Sequence, residues 1–303
     1  MTMTNDAITT RIRPLDLEAV DNTLYEPKYE ELTARQAISL KTDIPAGAET
    51  YAYNIMTRSG VAKILANNAD DVPLVDLDMR REFQRIYSIV TGFSYTVQEL
   101  RAAAMVNMPV DPAKAAVARR AVAEKENRLV WAGDDDYAIK GIVNTVGIQV
   151  TNVPNNAAGT SKLWSAKTPA EILKDIRILK GLITVLPGQS NGSLTLALPV
   201  TQFEALDERY SDYDSRTLRE VINSYGWFKR ILRVADLKGK GTAGSDSMLI
   251  FDGSPEVVQL LLPMDMIRHD PEWKFPRWKI AVEERCGGVI VRYPMAIARG
   301  DGI

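Results

Sequence analysis

Little of the first third of this 303-residue chain can be placed in a globular core. Residues 1–47 scatter Ile8, Ile12, Leu15, Leu17 and Leu24 among polar neighbours, and Pro14, Pro27 and Pro45 interrupt any regular element. Only 28–38, through Leu32 and Ala37, could hold a short helix. The segment reads as an extended arm, ordered only when it lies on something. Past residue 49, two stretches are rich in β-formers: 51–57 (YAYNIMT), and 83–91, where Phe83, Arg85, Tyr87 and Ile89 alternate with more polar neighbours. Between them lie Gly60, Asp70-Asp71, Pro73 and Asp76-Leu77-Asp78, with room for one helical turn at 61–66. Strands joined by so long an excursion predict a projecting hairpin or loop. A connection of that length is functional or disordered. A standard interface uses ~20–30 residues per side to bury ~800 Å², so an arm and a loop on this scale would supply several. A monomer would leave them frayed; a multivalent lattice would use them.

The best helix signals follow. Thr96-Val97-Gln98-Glu99 is a capping box, with Tyr95 and Leu100 as its hydrophobic staple. That helix is stopped by Pro109; a second opens on Asp111 as N-cap with Pro112 at its first position and runs to Trp131 before Gly133. Twenty helical residues span ~30 Å. Its apolar content is thin, and Arg120–Glu124 and Glu124–Arg128 are supporting i,i+4 pairs. The pattern predicts a spine laid across a sheet, not a buried core helix. After a loop and hairpin region at 134–163, Thr168-Pro169-Ala170-Glu171 is another capping box, with Ile172, Ile176 and Leu179 on one helix face. Further on, 194–198, 228–234, 248–251 and 257–262 read as strands, and 201–210 and 217–224 as helices. The segments 279–284 and 289–293, around Gly287-Gly288, read as an antiparallel hairpin. The fold class is α+β, with no βαβ rhythm.

Composition narrows function. The chain is 46% apolar and 25% charged, with net charge −2 and no Lys/Arg cluster longer than a pair. Readers of specific DNA normally carry a basic stripe, so this class is not expected. No apolar run approaches ~18 residues and no signal-peptide pattern opens the chain, so it is expected to be soluble and unexported. A single cysteine, Cys286, excludes an internal disulfide framework. A single histidine, His269, excludes a His-rich zinc site. No cofactor and no metal are expected.

Against that background the chain resembles the major capsid proteins of tailed bacteriophages, and in particular a branch of short ones without a long scaffolding extension. The resemblance rests on SGVAKI at 59–64, DDVPLVD at 70–76, YTVQELRAA at 95–103, ARRA at 118–121, Asn127-Arg128, GIVN at 141–144 and GGVIVRYP at 287–294. It covers most of the chain after Tyr53; 165–277 match in pattern only, and the arm barely. It implies the tailed-phage capsid fold: an N-terminal arm (1–47), an extended loop (48–92) and a peripheral domain with a spine helix (93–164). An axial domain (165–277) would follow, and the chain would return to the peripheral domain through a closing hairpin (278–303). It implies a homo-oligomer, pentamers and hexamers in an icosahedral shell, found in the virion and assembled in the host cytoplasm. Scaffolding, portal and decoration proteins would be candidate partners, with packaged DNA contacted non-specifically and no membrane. Candidate intersubunit contacts are Lys63, Asp70, Asp71, Asp76, Arg80, Arg81, Arg119 and Arg120. Some relatives cross-link a loop Lys to a neighbour's Asn; Lys63 lies in the corresponding loop, where the plain reading is a solvated side chain.

Rival readings rest on particular motifs. One of the same fold is an encapsulin-like compartment holding protein cargo. One of another class is a serine hydrolase: Gly188-Gln189-Ser190-Asn191-Gly192 fits G-x-S-x-G, and Asp207 and His269 follow in triad order. That motif needs a strand before Ser190 and a helix after it. Here a helix precedes and a strand follows, so a turn-rich loop is the better reading. A tail or decoration protein is a third rival. Asp76-Leu77-Asp78 and Asp134-Asp135-Asp136 read as solvated turns before they read as cation sites. The glycine-rich 239–245 lacks the Lys that a phosphate loop places after its last Gly.

Overall fold

The computed structural model describes residues 30–64, 74–106, 110–189 and 193–303. It opens with a one-turn helix α1 (Ala34–Ala37) and strand β1 (Ser39–Lys41). Ala34, Ala37 and Ile38 are buried in the largest core, and β1 runs parallel to the strand Val258–Leu261. The arm expected over 1–47 therefore has a root inside the subunit from Thr33 onward. Three small apolar residues in one turn are too few to show as periodicity.

Strands β2 (Thr50–Ser59) and β3 (Asp76–Arg85) pair antiparallel over ten residues. Ile86 is buried, donates its N–H to the Glu49 carbonyl at 2.9 Å, and turns the chain into β4 (Tyr87–Thr96). The strand expected at 83–91 straddles this corner, because the alternation continues through it unbroken. Residues 61–64 are not helical, and the rest of the turn expected there lies outside the described residues.

Helix α2 (Val97–Val106) opens on the predicted box: Glu99 N–H donates to Thr96 Oγ1 at 3.1 Å and Thr96 N–H to Glu99 Oε2 at 2.9 Å. Helix α3 spans Val110–Trp131, so Asp111 lies within it rather than at its cap, and Pro112 sits in the first turn, where its missing N–H is no loss. Ala118 and Val122 rest on Val282, Ile89 and Phe93, as a spine across a sheet would. Its last turn departs from that expectation. Leu129, Val130 and Trp131 are fully buried, with Trp131 edge-on to Phe251 at 6.1 Å.

A two-residue ladder, β5 (Gly133–Asp134) with β6 (Ile139–Lys140), and β7 (Gln149–Asn152) lead to α4 (Pro169–Thr184), which carries the second capping box. Then come β8 (Leu194–Leu198), α5 (Val200–Glu204), β9 (Arg209–Ser211), β10 (Asp214–Thr217), α6 (Leu218–Ser224), β11 (Arg230–Arg233) and β12 (Ser247–Asp252). The helix expected at 201–210 is cut short, since Arg209 begins a strand. The chain closes with β13 (Val258–Leu261), β14 (Met264–Arg268), β15 (Glu272–Lys274), β16 (Arg277–Cys286), β17 (Gly288–Val291) and β18 (Ile297–Asp301).

Three sheets organise these elements. The five-stranded sheet runs β11-β8-β12-β18-β7, and its central strands β8 and β12 are buried on both faces. Leu196, Leu198, Met248 and Ile250 pack with Ile172, Ile176, Leu179 and Ile183 of α4, while Ala197, Leu249 and Phe251 face the core around Trp131. Strand β16 pairs along its whole length with β4 and on its other edge with β14 and β15. A small sheet, β1-β13-β17, closes the arm root.

One expectation about the C-terminal region is corrected. Strands β16 and β17 do not form a hairpin together; β17 pairs with β13. Gly288 at φ +75° and the Gly287 N–H donated to the Leu261 carbonyl at 2.9 Å carry the chain from one sheet to another. The hairpin of this region is β15–β16. Strand β18, expected in the peripheral domain, lies inside the five-stranded sheet between β12 and β7. Conversely, β13, β14 and β15, from the segment expected to be axial, pair with β1, β16 and β17.

Candidate intersubunit surface

The β2–β3 hairpin pairs with no other strand among the described residues. Ten residues of strand extend ~33 Å, and a lone two-stranded ribbon is marginal in water. Its base is held where Tyr51 and Tyr53 pack against Ile86, Leu261 and Ile290. Phe83, at the base opposite Ala52, is nevertheless 64% exposed, and farther out Met79 is 62% exposed, with Met56 and Leu77 also open. A ribbon with exposed apolar side chains and, among the described residues, no further strand beside it is built to be covered.

Four of the eight charged candidates lie on or near this ribbon. Lys63 is exposed just beyond β2. Asp76 begins β3 and its Oδ1 accepts the Leu77 N–H at 2.8 Å. Arg80 is paired in its own chain with Glu82 at 2.6 Å, and Arg81 lies over the Phe83 ring at 5.2 Å. Asp70 and Asp71 fall outside the described residues. Arg119 and Arg120 are elsewhere, on α3: Arg119 is exposed, while Arg120 binds Glu124 at 2.7 Å and donates to the Glu30 carbonyl. The ribbon and the α3 arginines are not brought together within one subunit.

A second constellation escaped the sequence reading. Asn127 Oδ1 accepts the N–H groups of Thr33 and Ala34 at 3.1 and 3.0 Å, while its Nδ2 donates to Asp236 at 2.7 Å. Beside it, Arg35 forks onto Glu126 at 2.9 and 2.6 Å and reaches Asp265 at 2.9 Å and Glu284 at 3.4 Å. Glu126 is 2% and Glu284 0% exposed. Burial, and contact with the Glu126 carboxylate, push the Glu284 carboxyl up to about 9. Glu284 Oε2 is otherwise without a hydrogen-bond partner, and a retained proton gives it one to donate. The arm root is thus clasped to α3, β14 and β16 by one guanidinium among three carboxyl groups. The signal was present: Glu126 falls on the stripe Ala115, Ala118, Val122, Leu129, and Glu284 on the inward alternation Ile280, Val282, Cys286.

Among the described residues, the other members of the rival triad are engaged elsewhere. Ser190 lies outside the described residues, but a helix precedes it and a strand follows, the reverse of a nucleophile elbow. Asp207 is bound to Arg219 at 2.6 Å beside α5 and α6, and His269 to Glu283 at 2.8 Å at the end of β14. Asp134 and Asp135 are paired with Lys125 and Lys140. Among the described residues no group of side chains could hold a metal ion. Burial pushes the Cys286 thiol up to about 12, so it is a packed, inert residue. No helix among the described residues is long and apolar enough to cross a membrane.

A family model described as major capsid protein matches residues 60–303. No curated protein matches the sequence. Among solved structures, the chain is similar to the capsid of Myoviridae phage XM1, at TM-score 0.80 and 13% identity over 96% of this chain and 99% of that one. It is similar to the capsid of a native GTA particle (TM-score 0.71, 13% identity, 99% of each chain). A virus-like particle from Pyrococcus furiosus also matches (TM-score 0.57, 15% identity, 88% of this chain and 90% of that one).

Proposed function

We propose, from the premise that this chain belongs to the major capsid protein family, that its unsupported ribbon and its arm are the parts that bind one subunit to the next. The chain is a shell-forming virion protein with the tailed-phage capsid fold, and it works by self-association. In the finer reading, the β2–β3 ribbon lies over a neighbour, α3 stiffens the subunit, and the region around the five-stranded sheet clusters about pentamer and hexamer axes. Lys63, Asp70, Asp71, Asp76, Arg80, Arg81, Arg119 and Arg120 are proposed contacts. DNA is confined without being read, assembly takes place in the host cytoplasm, and scaffolding, portal and decoration proteins are candidate partners. No catalysis is assigned to the chain.

The observation that carries the reading is the ribbon itself: two strands paired over ten residues, with exposed Met79 and Phe83 and no further strand pairing with them among the described residues. Many modest contacts repeated over a lattice sum to a stable shell. Electron microscopy of the expressed chain is expected to show closed, uniform shells; a monodisperse monomer at high concentration would overturn the proposal. The likeness to a virus-like particle keeps a cargo-holding shell as the second reading. Shells that enclose protein in place of DNA in the native host would select it.

A further inference from the structure

At the far end of the four-stranded sheet, a recess of about 530 Å³ is lined by Phe93 of β4 and by Lys274, Phe275, Arg277 and Lys279 of the β15–β16 hairpin. Its three cations have no ion-pair partner among the described residues. Lys274 and Arg277 stand directly opposite each other in the ladder, and like charges so placed are destabilising. Glu272, opposite Lys279, makes no ion pair with it. Phe275 is 83% exposed at the rim, edge-on to Trp273 at 6.2 Å. An isolated subunit gains nothing from this arrangement; an acidic, partly apolar visitor would relieve it.

The chain carries such a visitor. Exposed Leu74 and Val75 lead into Asp76, Leu77 and Asp78 at the free end of the β2–β3 ribbon. Asp76 and Asp78 lie two apart on one strand, as do Arg277 and Lys279, so each pair shares a face at a spacing of ~6.6 Å. Neither aspartate has an ion-pair partner among the described residues. Within one chain the two features stand at opposite ends of the β3–β4 path, and among the described residues the ribbon pairs only with itself.

We propose that the ribbon end of a second copy seats in this recess, with Asp76 and Asp78 against Arg277 and Lys279, and Leu74 and Val75 against Phe275. This rests on the shell reading and names the partner of its ribbon. A polyanion such as DNA is the less favoured occupant: the cations converge on one recess rather than forming a stripe, and its aromatic wall matches apolar side chains that a phosphate backbone lacks.

The test is charge reversal in the full chain. Arg277→Glu with Lys279→Glu, and separately Asp76→Lys with Asp78→Lys, are each expected to cut shell yield about tenfold through like-charge contacts. All four together should restore it, with subunit melting unchanged throughout. Either reversal assembling as the unaltered chain does would overturn the proposal. So would a basic-side reversal that assembles but loses DNA while the acidic-side reversal is silent. Independently, Asp78→Cys with Lys279→Cys and a short thiol-to-thiol cross-linker should give a ladder of linked subunits, Cys286 being fully buried. Assembled shells without a ladder would overturn the pairing. An unaltered chain that forms no shells would instead sink the shell reading, a result the reversals cannot produce.

Discussion

Glu126 and Glu284 occupy places that the local pattern reserves for apolar side chains, and they survive there because one proton and one guanidinium are shared among them. The sign of the resulting pH dependence follows from burial. Glu284 holds its proton to about 9 in the folded subunit, against 4.5 when unperturbed. Its contribution is therefore complete below the unperturbed value and is lost as pH rises through about 9, since the unfolded chain releases its proton first. Urea midpoints of the dissociated subunit should fall across that window, and Glu284→Gln, which cannot ionise, should flatten the fall. Equal slopes for the two proteins would refute the assignment. The buried pair Lys167–Asp175, at 2.5 Å with Lys167 also donating to the Pro154 carbonyl at 2.7 Å, behaves differently. Lys167→Met leaves a carboxylate buried alone and should cost about 3–5 kcal/mol, whereas adding Asp175→Leu should recover most of it. Chemical denaturation of the two variants measures both. Glu126 and Glu284 sit on legible apolar patterns, but the Arg35 that makes them tolerable there comes from a distant segment; Lys167 and Asp175 are neighbours in sequence, yet nothing local shows that the lysine is buried.

Elements were legible where their signals are local. Thr96–Glu99 and Thr168–Glu171 cap the helices they predict, and the apolar run 194–198 is a strand of the five-stranded sheet. Where a segment's place depends on a remote partner, the pattern misled. Gly287-Gly288 has the composition of a hairpin turn, yet β17 follows β13 because Leu261 receives the Gly287 N–H. Residues 297–301 hold too few strong β-formers to announce a strand, yet β18 fills a slot between two others. Helix α1 is the sharpest case. Its four residues cannot hold a helix alone, and the Asn127 carboxamide ninety residues on supplies its cap. Asn127→Ala should therefore free the arm root before the rest of the subunit, at a cost of about 1–2 kcal/mol. Hydrogen exchange at Thr33 and Ala34 should quicken while the amides of β8 and β12 stay protected. Uniform loss of protection would show that the arm root and the core are a single cooperative unit.

At the scale of the whole molecule, two kinds of structure coexist. The core between α3, α4 and the five-stranded sheet is closed and covered, with Trp131, Phe251, Ile176 and Leu196 fully buried. The ribbon is neither. The expectation that the first third of the chain has no place in its own subunit is thus divided: Thr33 to Lys41 belong to the core, while most of β2 and β3 does not. Stability and assembly should then separate by mutation. Replacing residues 54–81 with a two-residue Asn-Gly turn removes no member of either large core, and that turn suits the right-handed twist of the strand stubs left at 50–53 and 82–85. The shortened chain should keep the core's melting temperature within a few degrees, since surface changes away from packed or hydrogen-bonded features usually stay within ~0.5 kcal/mol. It should nevertheless remain monomeric at concentrations where the full chain forms shells, as shown by sedimentation and electron microscopy. The full chain, by contrast, should gain stability with concentration, because neighbours bind the folded state alone. If the shortened chain still closed into shells, the ribbon would be ornament, and the arm with the α3 arginines would have to hold the lattice.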